Sequence, residues 1–357
     1  MQSQSSNKLL EIFARTPMPF DDYMMQALYH PEWGYYTSRV DFGVAGDFVT
    51  APTLTPSFTQ ALGYFMLSEP LDDVAVIELG PGNGQLAYDL LLFLEQEKKL
   101  PTQYYLVETS DYLKKKQAQR LQTLPAHLFD LVKWVEFEDL KAIKAIVLAN
   151  EFFDALPVVR FQVFDTGVQE LYVAYESDRL IEVPHPPRAE LVEFVAPLNL
   201  PIGYTSEVCF AYKNIAQKLQ QMLSAGIVLI IDYGYPEQEY YQPTRTQGTL
   251  QAYYQHQASS SYLEQPGFMD LTAHVNFSYL SHCLLAADFT FDFFTFQNVF
   301  LLDQGINENL EQKPAGEQQK IKRLLDPRLM GEGFKVLAFS KHHELRYAPT
   351  YDLARFL

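Results

Sequence analysis

The stretch Val76–Gln85, VIELGPGNGQ, limits the fold more than any other part of the chain. Three glycines fall within five residues, after a short apolar run and before the amphipathic segment GQLAYDLLLFLEQEKK. A backbone turning this sharply from strand to helix passes close to a ligand at the carboxyl edge of a parallel sheet. The flanking rhythm agrees with that placement. VAVIEL, QYYLVE, LVKWVEF, AIVLAN and IVLIIDYG read as short strands with helical segments between them. Leu86, Leu90 and Leu94 recur at helical spacing, and Ser110 is placed to cap the helix SDYLKKKQAQRLQTL. EVCFAYKNIAQKLQQMLSAG is expected to be one helix ending at Gly226, and FTFDFFTFQ and FKVLAFSK are two more strand candidates. Such alternation predicts a Rossmann-like α/β sheet, mostly parallel, with helices on both faces.

The sheet domain is expected over 71–340, behind an N-terminal helical cap or lid at 1–70 and before a tail at 341–357. Two stretches interrupt the rhythm. Residues 155–205 carry hairpin signals around Asp165-Thr166-Gly167 and then prolines, and read as an inserted α+β lobe. Residues 235–267 are polar and aromatic and read as a second excursion.

Which nucleotide the loop holds follows from what surrounds it. No Lys-Ser or Lys-Thr pair follows at P-loop spacing, and the third glycine comes one position early for a dinucleotide fingerprint. Glu78, at the end of the first strand, would repel a pyrophosphate but attract the ammonium of an amino acid. Glu108 closes the second strand, where an acid can accept hydrogen bonds from both ribose hydroxyls. A ligand with a ribose and a cationic amino-acid tail but no phosphate is S-adenosylmethionine. Gly80, Gly82, Gly84, Glu78 and Glu108 are therefore its expected contacts, with Asp139 facing the adenine amine by fold analogy. The bland alternative is a tight structural turn with two solvated acids at strand ends. With the cofactor, the fold becomes a class I methyltransferase sheet.

Composition narrows the partners. A net charge of −17 argues against nucleic acid, which needs a basic face. No apolar run reaches the ~18 residues of a membrane span, and the opening segment has neither a signal-peptide core nor arginine richness. The expected compartment is the cytoplasm. Cys209 and Cys283 match no metal or redox spacing, and no metal is expected.

GYYTSRVDFGVAGDFVTAP, ELGPGNGQL, VETSDYLKKKQAQRL, NEFFDALPVVRF, IDYGYP and PGFMDLTAHVNFSYL together resemble the MidA-type methyltransferases. The likeness runs from about His30 to Ser340. It implies an S-adenosylmethionine-dependent enzyme. For the mitochondrial branch, an assembly factor of respiratory complex I, it implies methylation of an arginine in a complex I subunit. The chain departs from the family pattern at Thr53, Gln251 and Asn276, on the side expected to face the acceptor.

The acceptor is expected beyond the fourth strand, in VLANEFFDALP. Glu151 and Asp154 would share a face of a helical turn and hold a guanidinium by paired hydrogen bonds. Phe152 and Phe153 would wall the pocket and stack on the planar cation, or else belong to the core. Asp47, Asp232, Tyr233, His256, Asp270 and His274 complete the expected pocket, Asp270 reading equally as an N-cap. The expected partner is a protein with an exposed arginine, and a dimer is compatible with the sequence. The alternatives are a small-molecule amine or oxygen nucleophile as acceptor, or an inactive assembly protein that keeps the fold.

Overall fold

The computed structural model describes residues 9–38, 50–69, 73–254 and 257–357. The chain folds into two compact units, each assembled from three stretches. One contains residues 1–40, 154–212 and 235–276; the other contains 41–153, 213–234 and 277–357. The expected cap over 1–70 is thus divided. The helix Pro56–Ser68 groups with the sheet, because its Phe58, Ala61, Leu62 and Phe65 are buried in the sheet unit's core.

The sheet unit carries seven strands in one path. They are β1 (Ala75–Leu79), β2 (Tyr104–Val107), β3 (Val132–Val135), β4 (Ile143–Asn150), β5 (Leu223–Tyr235), β6 (Thr290–Phe296) and β7 (Phe334–Lys341). Their spatial order is β6-β7-β5-β4-β1-β2-β3. The strands β3, β2, β1, β4 and β5 pair in parallel, and β7 runs antiparallel to both β5 and β6. Alternate residues such as Val76, Ile146, Leu148, Ile227, Leu229, Val336 and Ala338 form one face of the core. The intervening Ile77, Val147, Val228, Ile230 and Leu337 are buried too, as expected for strands covered on both faces. Order reverses between β1 and β4, so their carboxyl ends open the crevice where α/β sheets bind ligands.

Local chemistry sets the element ends. The helix α1 (Gln85–Gln96) begins where the glycine loop ends, and α2 (Asp111–Leu121) begins at Ser110. The Ser110 hydroxyl accepts a hydrogen bond from the Leu113 N–H at 3.2 Å, as the sequence suggested. Ser110→Ala is expected to cost about 1 kcal/mol of stability, read as a lowered denaturant midpoint at unchanged slope.

The segment 207–226 departs from expectation. It is not one helix: Thr205–Val208 is a strand, the helix covers only Ala211–Met222, and β5 begins at Leu223. Gly226 makes the early start of β5 feasible, since a Cβ there would sit 1.8 Å from the Ala145 carbonyl oxygen of β4. Glu207 lies in a strand because its carboxylate is needed inside the other unit, as described next.

That second unit is built on an antiparallel sheet. Val159–Phe164 and Gly167–Glu176 form the hairpin around Asp165-Thr166-Gly167, flanked by Arg179–His185, Met18–Pro19 and Thr205–Val208. Arg160, 2% exposed, donates to Glu207 at 2.8 Å and to Glu182 at 3.1 Å. Glu207 also accepts from the Thr249 N–H and the Tyr240 hydroxyl, so the buried charges are paired and bonded. A small sheet of Gln251–Tyr254, Gln257–Ser259 and Asp270–Thr272 completes the unit.

Candidate active site

The glycine loop leaves β1 at Leu79. Gly80, Gly82 and Gly84 all have positive φ. The Gly80 N–H donates to the Val107 carbonyl at 3.1 Å, tying the loop to the end of β2. The Gly84 N–H closes the turn onto the Pro81 carbonyl at 2.8 Å, and Asn83 Oδ1 accepts from the Gln85 N–H at 3.1 Å. A Cβ on Gly80 would lie 3.0 Å from the Phe152 ring. The loop is therefore a cradle with a bare backbone, which suits a ligand that must approach closely.

Glu108 follows β2 and is 7% exposed. One carboxylate oxygen accepts from the Ser110 N–H at 2.8 Å, the other from Gln117 Nε2 at 3.2 Å. Burial pushes its pKa up to about 7, against the lowering pull of those hydrogen bonds. The residues present fit S-adenosylmethionine: an acid at the end of β2 and, beside it, a loop with glycine at three of its five positions. Glu78 is placed differently from a free strand-end acid. It is 3% exposed, and its carboxylate accepts from the Tyr104 hydroxyl at 2.7 Å, while burial pushes its pKa up to about 7. Asp139 is exposed and accepts from the Glu136 N–H at 3.1 Å, closing its own turn.

Sequence reasoning missed Gln117. It is fully buried and sits on the stripe Leu113, Gln117, Leu121 of α2. A polar residue at the centre of an apolar i, i+4, i+8 stripe was the available signal.

The end of β4 corrects one expectation. Residues 151–157 form bends and a turn rather than a helical turn, and Glu151 has φ +50°. The three-residue spacing of Glu151 and Asp154 therefore does not put them on one helical face. Glu151 accepts from the Ala51 N–H at 3.4 Å and from Asn150 Nδ2 at 3.3 Å. Phe152 covers Gly80, and Phe153 is 1% exposed, so the two phenylalanines have different surroundings. Asp232, fully buried at the end of β5, accepts from the Phe153 N–H at 3.0 Å and from the Tyr233 N–H at 2.9 Å. It ties β5 to the turn after β4. Tyr233 packs edge-on against Phe334 at 5.3 Å.

Asp154 begins the other unit's middle stretch. Its carbonyl accepts from the Ala273 N–H at 3.0 Å, which places it against the strand carrying Asp270. Asp270 lies in a strand rather than at a helix cap, opposite Tyr253, and accepts from the Tyr36 hydroxyl at 2.7 Å. Asp154 and Asp270 are 6% and 4% exposed. Burial raises the pKa values of the Tyr36 and Tyr253 hydroxyls, and both carboxylates add to each shift. The two acids and two tyrosines thus share one electrostatic neighbourhood. Tyr36 and Tyr253 had no sequence signal, because their partners are distant in the chain. The His274 N–H donates to Thr249 Oγ1 at 2.9 Å, and its ring stacks on Tyr235 at 5.1 Å. Asp47 and His256 lie outside the described residues. Among the described residues no helix is long and apolar enough to cross a membrane.

A Drosophila melanogaster protein named "Protein arginine methyltransferase NDUFAF7 homolog, mitochondrial" is 31% identical, over 92% of this chain and 82% of its own length. The Homo sapiens protein arginine methyltransferase NDUFAF7, mitochondrial, is 29% identical over 95% of this chain and 83% of its own. A crystal structure from Burkholderia thailandensis, bound to S-adenosyl-homocysteine, is 30% identical. It superposes with a TM-score of 0.92 over 100% of this chain and 98% of its own. The sequence profile of one family matches residues 59–295, and the chain belongs to that family, the S-adenosyl-L-methionine-dependent methyltransferases of the MidA-like kind.

Proposed function

We propose that the enzyme methylates an arginine side chain of a partner protein. The observation that carries this reading is the pair of buried carboxylates, Asp154 and Asp270, in one tyrosine-lined neighbourhood. Two carboxylates can hold a guanidinium by charge-assisted hydrogen bonds, and tyrosine rings can stack on its plane. The relatives named protein arginine methyltransferases support the same class of acceptor. Glu151 remains in the proposal as the acid closing β4, beside the phenylalanine that covers the glycine loop.

Bound at the glycine loop, S-adenosylmethionine would supply an electrophilic methyl group for in-line displacement, with the thioether as the leaving group. The chain's own residues must orient a guanidinium nitrogen, offset its charge and take up the proton lost after transfer. Asp154 and Asp270 do this in the proposal: carboxylates favour the cation electrostatically and accept from its N–H groups. The relatives are named mitochondrial, and a cytoplasmic location for this chain is part of the proposal, to be read by fractionation.

The test is transfer of radiolabelled methyl groups into a lysate of cells lacking the enzyme, followed by mass spectrometry. Methylated arginine in one or a few proteins is the expected product. Label on a metabolite would move the assignment to a small-molecule acceptor. Label on lysine or carboxyl groups would also overturn it, and cofactor binding without transfer would identify an inactive assembly protein.

A further inference from the structure

We infer that Gln117 is a positioning residue for the methyl donor, its single side-chain amide locking the glycine loop to the acid that receives the ribose. The inference rests on the reading of Glu108 as that acid. Gln117 Nε2 carries two hydrogens and uses both. One goes to the Gly82 carbonyl at 2.9 Å, the other to the Glu108 carboxylate at 3.2 Å. Its Oε1 accepts from the indole N–H of Trp134 at 2.8 Å. That third bond fixes which end of the amide faces Glu108, since an indole nitrogen only donates. A flipped amide would aim oxygen at oxygen. The backbone of Gln117 also closes on the loop: a Cβ on Gly84 would lie 3.4 Å from its Cα.

One fully buried side chain therefore connects the loop after β1, the acid after β2 and the indole of β3. An apolar residue of similar size would fill the space but leave the Gly82 carbonyl and a carboxylate oxygen without this donor. The consequence is specific to ionisation. Ribose hydroxyls donate to a carboxylate, so binding favours the Glu108 anion. Burial opposes that anion, and four groups favour it: the Ser110 and Thr109 N–H groups, the Gln117 amide and the charge of Lys114. Lys114 itself pairs with Glu136 at 2.9 Å. At Glu108, removing the Gln117 donor withdraws stabilisation mainly from the charged form, so Glu108 titrates at higher pH. Affinity then falls most at and below neutrality and recovers on the alkaline side.

The experiment measures S-adenosylhomocysteine affinity by calorimetry across the pH range on either side of neutrality. It uses the full chain and its Gln117→Met, Trp134→Phe and Glu108→Gln variants. Gln117→Met is expected to weaken binding about tenfold at neutral pH, with the midpoint of the pH profile moved upward. Trp134→Phe is expected to move the midpoint in the same direction by less, and it answers the question should Gln117→Met fail to fold. Glu108→Gln is expected to bind weakly at every pH. A Gln117→Met loss that is equal at all pH values, or no loss, overturns the inference alone, as does an unmoved midpoint in Trp134→Phe. Glu108→Gln binding as tightly as the parent overturns the ribose reading and the inference with it.

Discussion

Gly80→Val is expected to raise the dissociation constant for S-adenosylhomocysteine more than about 100-fold, roughly 2.7 kcal/mol, in a protein that still folds. Gly80 has φ +62°, where a β-branched residue is strained, by about 1–2 kcal/mol. Its new Cβ would meet the Phe152 ring at 3.0 Å, and the valine methyls would reach further. The loop cannot shift aside cheaply, because the Gly80 N–H is bonded to the Val107 carbonyl one residue before Glu108. Relief of the clash therefore disturbs Glu108, the proposed ribose acid, or pushes Phe152 out of place. The strain is small beside a typical folding stability of about 5–15 kcal/mol, so a melting curve should drop modestly while binding disappears. Calorimetric affinity within a few-fold of the parent would mean that the cofactor does not use this loop.

Asp154→Asn is expected to lower turnover about 100-fold or more and to leave cofactor affinity nearly unchanged. Asparagine keeps the shape and two polar atoms but removes the charge that would hold a guanidinium and accept its proton. Gly80–Gly84 and Glu108, the proposed cofactor contacts, belong to the sheet unit, and Asp154 to the other, so the two readouts should separate. Asp270→Asn is the companion variant, with the added loss of the anionic acceptor for the Tyr36 hydroxyl. Equal loss of turnover and cofactor affinity in Asp154→Asn would assign that residue a structural role.

The residues best read from sequence are those whose surroundings are local. The strands after which Gly80 and Glu108 stand are apolar runs of the right length, and the Ser110 cap bonds three residues along the chain. Tertiary context decided the failures. Thr205–Val208 has helix-compatible residues, yet its strand pairs with Val159–Gln162 and delivers Glu207 to Arg160, a partner 47 residues away. The turn 151–157 has helical spacing, yet Asp232 captures the Phe153 N–H, which holds the chain in a bend. Tyr36 and Asp270 meet across 234 residues, a distance no spacing rule covers. Gln117 was legible as an anomaly on an apolar stripe, although its three partners were not.

The strand order has a consequence for how the chain leaves the ribosome. Phe334–Lys341, the last strand of the sheet in chain order, is not at the rim of its sheet but lies between β5 and β6. Until it emerges, both neighbours present unpaired N–H and C=O groups, and β5 is almost wholly apolar. A nascent chain stalled or nicked before residue 334 therefore carries two sticky edges at once, the condition under which strands recruit other chains. Trimming the carboxyl end into β7 should give insoluble protein rather than a smaller soluble domain, because the final strand is what seals the sheet.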